Sequence, residues 1–170
     1  MPDCEIGPLH AGCNVRTFRC GVPEIDAWFH SKSHRRHGDY LVRTFTAHLI
    51  GNPQPAGFYS LTIGSEEWKS LPRDQRGASD GSHFPAVTIQ YFAVHRSLQK
   101  QGIGRLLMGH ALEQACDVAL IAGTFAVKLV AENDGAVTFY EKLGFRTYGD
   151  LGGRPLMILP VGSLIEASAE

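Results

Sequence analysis

Apolar positions fall into short blocks whose period changes along the chain. After a glycine-rich start (Gly7, Pro8, Gly12, Gly21) with a short Val15–Phe18 piece, Ile25, Trp28 and Phe29 recur at helical spacing. Pro23 suits the first turn of that helix, and Gly38-Asp39 is its predicted stop. Phe45, Ala47 and Leu49 then alternate with Thr44, Thr46 and His48, the period of a half-buried strand. Gly51-Asn52-Pro53-Gln54-Pro55 reads as a turn into a partner strand over 57–63, with Tyr59, Leu61 and Ile63 on one face. Residues 65–84 are polar and hold Pro72, Gly77 and Gly81, which predicts a long mobile loop with a helical turn around Glu66–Trp68.

The second half alternates more regularly. A strand rich in β-branched and aromatic residues spans 88–95, and a helix spans about 105–121. Leu107, Ala111, Ala115, Val118 and Ala119 form the helix's apolar stripe. A strand at 124–130, a helix at 134–143 ended by Gly144, and strands at 145–148 and 154–161 follow. An N-terminal hairpin followed by strand–helix–strand units predicts an α/β fold with a mixed sheet. At 170 residues, one domain over 1–170 is expected.

Composition adds mostly exclusions. Hydrophobic residues at 44% and charged residues at 19% are ordinary for a globular chain, and a net charge of −1 advertises no nucleic-acid partner for the chain as a whole. No apolar run would span a bilayer, and no charged-then-apolar leader opens the sequence. Cys4, Cys13, Cys20 and Cys116 match no zinc signature. Reduced thiols in a cytoplasmic protein are the expectation. His30, His34 and His37 share one helix face at metal-compatible spacing, but no carboxylate or cysteine joins them; a partly protonated basic surface is expected there and no metal.

The chemistry-bearing stretch is the turn Gln99-Lys100-Gln101-Gly102-Ile103-Gly104, between the 88–95 strand and the helix beginning near Arg105. Glycines there admit unusual backbone angles and close approach of a ligand. The first amides of the helix lack intrahelical acceptors and lie at its positive end, so a phosphate is their natural partner. Lys100 and Arg105 add positive charge.

With Ala131-Glu132-Asn133-Asp134 through Phe139-Tyr140-Glu141-Lys142-Leu143-Gly144-Phe145 about thirty residues on, this turn resembles the signatures of the GNAT superfamily of acetyl-CoA-dependent N-acetyltransferases. The resemblance implies a mixed sheet splayed at the 88–95 and 124–130 strands, with acetyl-CoA as cofactor. It implies that backbone groups of Phe92 and Val94 hold the pantetheine amides. Gln99, Lys100, Gln101, Gly102, Ile103, Gly104 and Arg105 form the pyrophosphate cradle, and Asn133 braces the pantetheine arm. Tyr140 stands where the family has its general acid. A phenol near ~10 outlasts a thiol near ~8.5 as a proton holder, which suits that role. The other reading of Tyr140 is a core aromatic beside Phe139. Glu66, Glu67, Asp80, His83, His95 and Glu132 are candidate bases by type, and spacing selects none of them.

A second resemblance covers nearly the whole chain. Phe18-x-Cys20-Gly21, Ile25-Asp26-x-Trp28-Phe29, Gly57–Leu61 and Ala93–Gly104 are similar to the TacT/AtaT-type toxins. That likeness implies acetylation of the α-amine of aminoacyl-tRNA and a ribbon–helix–helix antitoxin as partner. Tyr91 stands where the group has arginine, and the group is generally basic. Lys32, Arg35, Arg36 and Arg43 cluster near the first helix as the candidate tRNA patch, or as a solvated helix face. A small amine or a protein amine as acceptor, and a non-catalytic acyl-CoA-binding protein, stay open. So does a homodimer.

Overall fold

The computed structural model describes residues 2–76 and 81–170. Its strands are β1 (Cys4–Pro8), β2 (Arg43–Leu49), β3 (Pro55–Glu67), β4 (His83–Val94), β5 (Ala126–Val130), β6 (Arg146–Leu151) and β7 (Arg154–Pro160). Its helices are α1 (Pro23–Gly38), α2 (Ile103–Ala122), α3 (Asp134–Lys142) and α4 (Val161–Ser168). The strands form one open mixed sheet in the order β1-β2-β3-β4-β5-β7-β6, so the fold is α/β as expected. β4 and β5 are neighbours in the sheet, with α2 between them in sequence.

The chain divides into two units, one of Met1–Thr62 with Ile89–Ala111, the other of Ile63–Thr88 with Leu112–Glu170. In the first, β1 pairs antiparallel with β2, and β2 with β3, with Phe45 opposite Tyr59 and Ala47 opposite Gly57. The hairpin is therefore as predicted, but its strands are not half-buried. Thr44, Thr46, Phe58 and Ser60 are buried along with Phe45, Ala47 and Tyr59. The buried hydroxyls of Thr44 and Ser60 satisfy each other at 2.8 Å. Ile63, predicted to share a face with Tyr59 and Leu61, belongs to the second unit and is 65% exposed, whereas those two are buried.

α1 begins at Pro23 and ends at Gly38 as its sequence predicts. It buries Ile25, Trp28 and Phe29 against Phe18 and Phe58, with Phe29 and Phe58 stacked at 3.9 Å. Its histidines are not a free basic surface. His30 Nε2 lies 2.7 Å from the Phe18 carbonyl and His34 Nε2 lies 2.8 Å from the Cys13 carbonyl. His37 Nδ1 accepts from the Thr44 amide at 3.0 Å. The face ties α1 to the preceding loop and to β2.

In the second unit, β7 pairs antiparallel with both β5 and β6. Leu71, Phe84, Ala86, Ala126 and Ile158 form the core there, with Trp68 and Phe125 packed on it. The predicted loop over 65–84 is corrected. β3 runs on to Glu67, two short 3-10 turns follow (Trp68–Ser70, Arg73–Gln75), and β4 starts at His83. Trp68 and Leu71 anchor this segment into the core. Gly77 lies outside the described residues. β1 and α4 are elements the sequence pattern did not show.

Candidate functional site

The glycine turn belongs to the first unit. β4 ends at Val94, a 3-10 turn spans Arg96–Leu98, and α2 opens at Ile103. His95 caps the turn, its Nδ1 accepting from the Ser97 amide at 3.2 Å. Lys100 has φ 63° and Gly102 φ 92°. Left-handed residues of this kind build the concave backbone that gathers N–H groups around an anion. At Gly102 the missing Cβ removes the steric penalty; at Lys100 the penalty is borne, on the order of 1–2 kcal/mol. α2 has no acidic residue in its first turn, and Lys100 and Arg105 are exposed. A helix start with amide donors, two cations and no competing carboxylate fits a pyrophosphate.

The Gln99 side chain braces the turn from within. Its Nε2 donates to the carbonyls of Cys20 at 2.9 Å and Val94 at 3.0 Å. These bonds tie the turn to the end of β4 and to the loop before α1. The Val94 carbonyl thereby accepts one of the two bonds it can take. β3 approaches closely beside it, and only a glycine allows this: a Cβ on Gly57 would lie 2.9 Å from the Ala93 carbonyl and 2.6 Å from Leu107 Cδ1. Phe92 and Val94 are half-buried at the end of β4.

Tyr91, where the toxin group has arginine, stacks on Trp28 at 4.2 Å and extends the aromatic pile of Trp28, Phe58 and Phe29. In the candidate patch on α1, Lys32 and Arg35 are exposed and Arg36 is half-buried. Arg43 is partly engaged: its Nη1 donates to the His37 carbonyl at 3.3 Å and its guanidinium lies 5.2 Å from the Tyr40 ring centroid. Tyr40 itself is left-handed at φ 58° and 81% exposed.

Tyr140 and Asn133 belong to the second unit, on α3. Asn133 is the N-cap, its side chain accepting from the Ala136 amide at 2.8 Å. Its Oδ1 is thus occupied, and its amide hydrogens are the part left for a ligand. At the other end, the Phe145 amide donates to the Tyr140 carbonyl and the Gly144 amide to the Glu141 carbonyl, with Gly144 at φ 101°. These two bonds and the Tyr140–Phe145 ring contact at 5.7 Å make a Schellman cap. The Tyr-x-x-x-Gly-Phe spacing therefore has a mechanical meaning: it fixes the backbone of the tyrosine at the helix end. Tyr140 is 6% exposed. Burial foremost, and then the charge of Glu132, push its hydroxyl well above the usual phenol value, so Oη keeps its proton.

The candidate bases are engaged. Glu66 Oε2 accepts from the Tyr148 hydroxyl at 3.0 Å and lies 3.5 Å from Lys128 Nζ. Glu67 pairs with Lys69 and faces His83, and Glu132 pairs with Arg154 at 2.9 Å. His95 holds its own cap. Asp80 lies outside the described residues. Sequence reasoning named Glu66 but missed Lys128 and Tyr148, which meet it only through the strand order. Among the described residues no helix is long and apolar enough to cross a membrane.

Residues 54–147 match the family model described as an acetyltransferase (GNAT) domain. A tRNA-acetylating toxin of Mycobacterium tuberculosis (strain ATCC 25618 / H37Rv) is 28% identical over 133 residues, 78% of each chain. The structure of AtaT complexed with acetyl-methionyl-tRNAfMet is similar at TM-score 0.88 and 25% identity, covering 98% of this chain and 99% of that one. A tyrosine-to-phenylalanine mutant of AtaT, bound to the C-terminus of the antitoxin AtaR and acetyl-CoA, is similar at TM-score 0.81 and 26% identity, covering 99% of each chain. The matched segment holds the glycine turn at the start of α2 and the capped tyrosine of α3, and with them the chain belongs to the GNAT acetyltransferase domain family.

Proposed function

We propose that the chain, as one acetyltransferase domain over 1–170, transfers an acetyl group from acetyl-CoA to the α-amine of an aminoacyl-tRNA and so blocks translation. The observation that carries this is the likeness to a tRNA-acetylating toxin across 78% of both chains, together with the turn and tyrosine of that reaction's fold family. When bound, acetyl-CoA supplies an activated thioester. Amides at 101–105 with Lys100 and Arg105 would hold its pyrophosphate, backbone groups of Phe92 and Val94 would hold the pantetheine arm, and the Asn133 amide would brace it. Tyr140 Oη, kept protonated, is the general acid for the departing sulfur. Binding and positioning supply much of the rest.

The paired state of the carboxylates favours an α-amine as acceptor. Each described candidate base already has a partner, which favours an amine that arrives neutral. An α-amine titrating near ~7.7–8.0 is roughly a fifth to a third neutral at pH ~7.4, whereas a lysine near ~10.4 is neutral in about one molecule in a thousand. We also assign the protein to the cytoplasm, with an antitoxin partner by analogy with AtaT and AtaR.

The test is acetyl transfer from labelled acetyl-CoA to charged tRNA. The wild type should acetylate the aminoacyl group, and Tyr140→Phe should lose roughly 10²–10⁴ in turnover while binding acetyl-CoA normally. Wild-type turnover in Tyr140→Phe would return Tyr140 to the core. A wild type that ignores charged tRNA and accepts small amines or peptide N-termini would replace the acceptor. One that binds acetyl-CoA and acetylates nothing would make the chain a binding protein.

A further inference from the structure

Outside the acetyl-transfer residues, the first unit brings together two histidines and a cysteine that are far apart in sequence. β1 lies antiparallel to β2, with Pro8 opposite Phe45. Leaving β1, the chain stays pinned to β2 through the Leu9 amide, which donates to the Thr44 carbonyl at 2.8 Å. It then turns tightly, the Cys13 amide donating to the His10 carbonyl at 3.0 Å. That turn sets His10 and Cys13 beside His48 of β2. One ligand atom from each of His10, Cys13 and His48 lies within 4.8 Å of the other two.

We propose that His10, Cys13 and His48 form a binding site for a divalent zinc ion. A tetrahedral zinc holds nitrogen at about 2.0–2.1 Å and sulfur at about 2.3 Å, which sets its ligand atoms roughly 3.3–3.7 Å from one another. The present separations, all within 4.8 Å, would have to shorten on binding, and His10 is exposed, with room to turn. A thiolate with two imidazoles selects zinc over magnesium or calcium, which take oxygen ligands.

The surroundings hold the other two ligands in place. His48 Nε2 lies 3.0 Å from Thr46 Oγ1, which orients the ring. The Cys13 carbonyl is bonded by His34 of α1 at 2.8 Å, which fixes the backbone that carries the thiol. Cys13 is 5% exposed, so the soft ligand is inside and the imidazoles face out. A surface pocket of about 520 Å³, lined by His10, Thr46 and His48 among others, gives solvent access for a water in the fourth position. Cysteine spacing alone gave no sign of this, because the third ligand lies on another strand. The ion would staple the N-terminal turn to β2. It is independent of the acetyl-transfer reading, and neither falls with the other.

The experiment titrates the reduced, chelator-treated full chain with Co²⁺ and then Zn²⁺. Expected are one Co²⁺ per chain, a thiolate-to-cobalt charge-transfer band in the near ultraviolet, its displacement by Zn²⁺, and a rise in melting temperature with Zn²⁺. Cys13→Ser should abolish the band. His10→Gln, at an exposed position that should not disturb folding, should weaken Zn²⁺ binding at least tenfold, as should His48→Gln. No charge-transfer band in the wild type overturns the proposal. So does a band that persists in Cys13→Ser, which would place the metal on another cysteine, or Zn²⁺ affinity unchanged in His10→Gln.

Discussion

Gly57→Ala tests whether the end of β4 owes its geometry to a missing side chain. The added methyl would sit 2.6 Å from Leu107 Cδ1 and 2.9 Å from the Ala93 carbonyl oxygen. Carbon atoms rest at about 3.5–4.0 Å, so roughly an ångström must be found. Leu107 is fully buried and cannot swing away, and Ala93 contributes backbone, so β3 and β4 must part locally. Overpacking of this kind costs about 1–3 kcal/mol. At about 2–4 °C per kcal/mol for a chain of this size, the melting temperature should fall by roughly 2–12 °C. The displaced residues adjoin Val94 and Gln99, so acetyl-CoA affinity should drop as well. Gly109→Ala is the matched control. It lies on α2 with nothing within 4 Å of its Cβ position, and should instead gain about 0.5–1 kcal/mol from helix propensity. Thermal melts and calorimetry with acetyl-CoA read both. If Gly57→Ala melts with the wild type and binds acetyl-CoA equally well, the close approach is not a constraint and the reasoning is wrong.

Three further outcomes are expected. Replacing Lys32, Arg35 and Arg36 with glutamine should raise KM for charged tRNA and lower the slope of log affinity against log salt by about 2–3, leaving acetyl-CoA affinity alone; equal slopes would make the patch a solvated helix face. Asn133→Ala should cost about 1 kcal/mol through the lost cap, while Asn133→Asp keeps the cap but not the amide donors. If Asn133→Asp binds acetyl-CoA like the wild type, Asn133 is a cap and nothing more. His37 is held below the ordinary histidine value by burial first, then by the charges of Arg43 and His34. Its native state therefore takes up fewer protons than the unfolded chain as pH drops below about 6.5, so stability is complete above that value and declines beneath it. The cause is visible: only a neutral ring can accept from the Thr44 amide. Melts between pH 7.5 and 5 should show this decline, and His37→Asn should flatten it; an unchanged slope would assign the acid sensitivity elsewhere.

What the sequence disclosed is what local rules govern. Pro23, the glycine turn and Gly144 each announce a helix end, and α1 and α2 bury residues of the apolar faces predicted for them, Ile25, Trp28 and Phe29 on one and Leu107, Ala111 and Ala115 on the other. The 65–84 segment misled because Gly64, Ser65, Glu66 and Glu67 look like loop residues. They are strand residues because Glu66 reaches Lys128 and Tyr148, and Trp68 reaches Phe84 and Phe125. β1 was invisible for a similar reason: five residues containing a glycine and a proline become a strand only once β2 is beside them. At the site, residue types were legible and partners were not. The bond from the Gln99 side chain to the Cys20 carbonyl, 79 residues away, could not be read from the turn itself. The role of Tyr91 needed Trp28 on another element.

The sheet's outermost strands limit how anything can be added to it. β1 is five residues long and closes on Pro8, which has no amide hydrogen to offer a newcomer. β6 is mostly exposed, carries Arg146 and Asp150, and breaks register against β7 between Thr147 and Gly149. Short, charged and irregular edges are poor templates for an incoming strand. Growth into fibrils by edge-to-edge pairing is thereby discouraged. A protein partner that works by lending a strand finds little to continue, so recognition of this chain should run through helix and loop side chains, whose mutation is separable from the ladder that holds the fold.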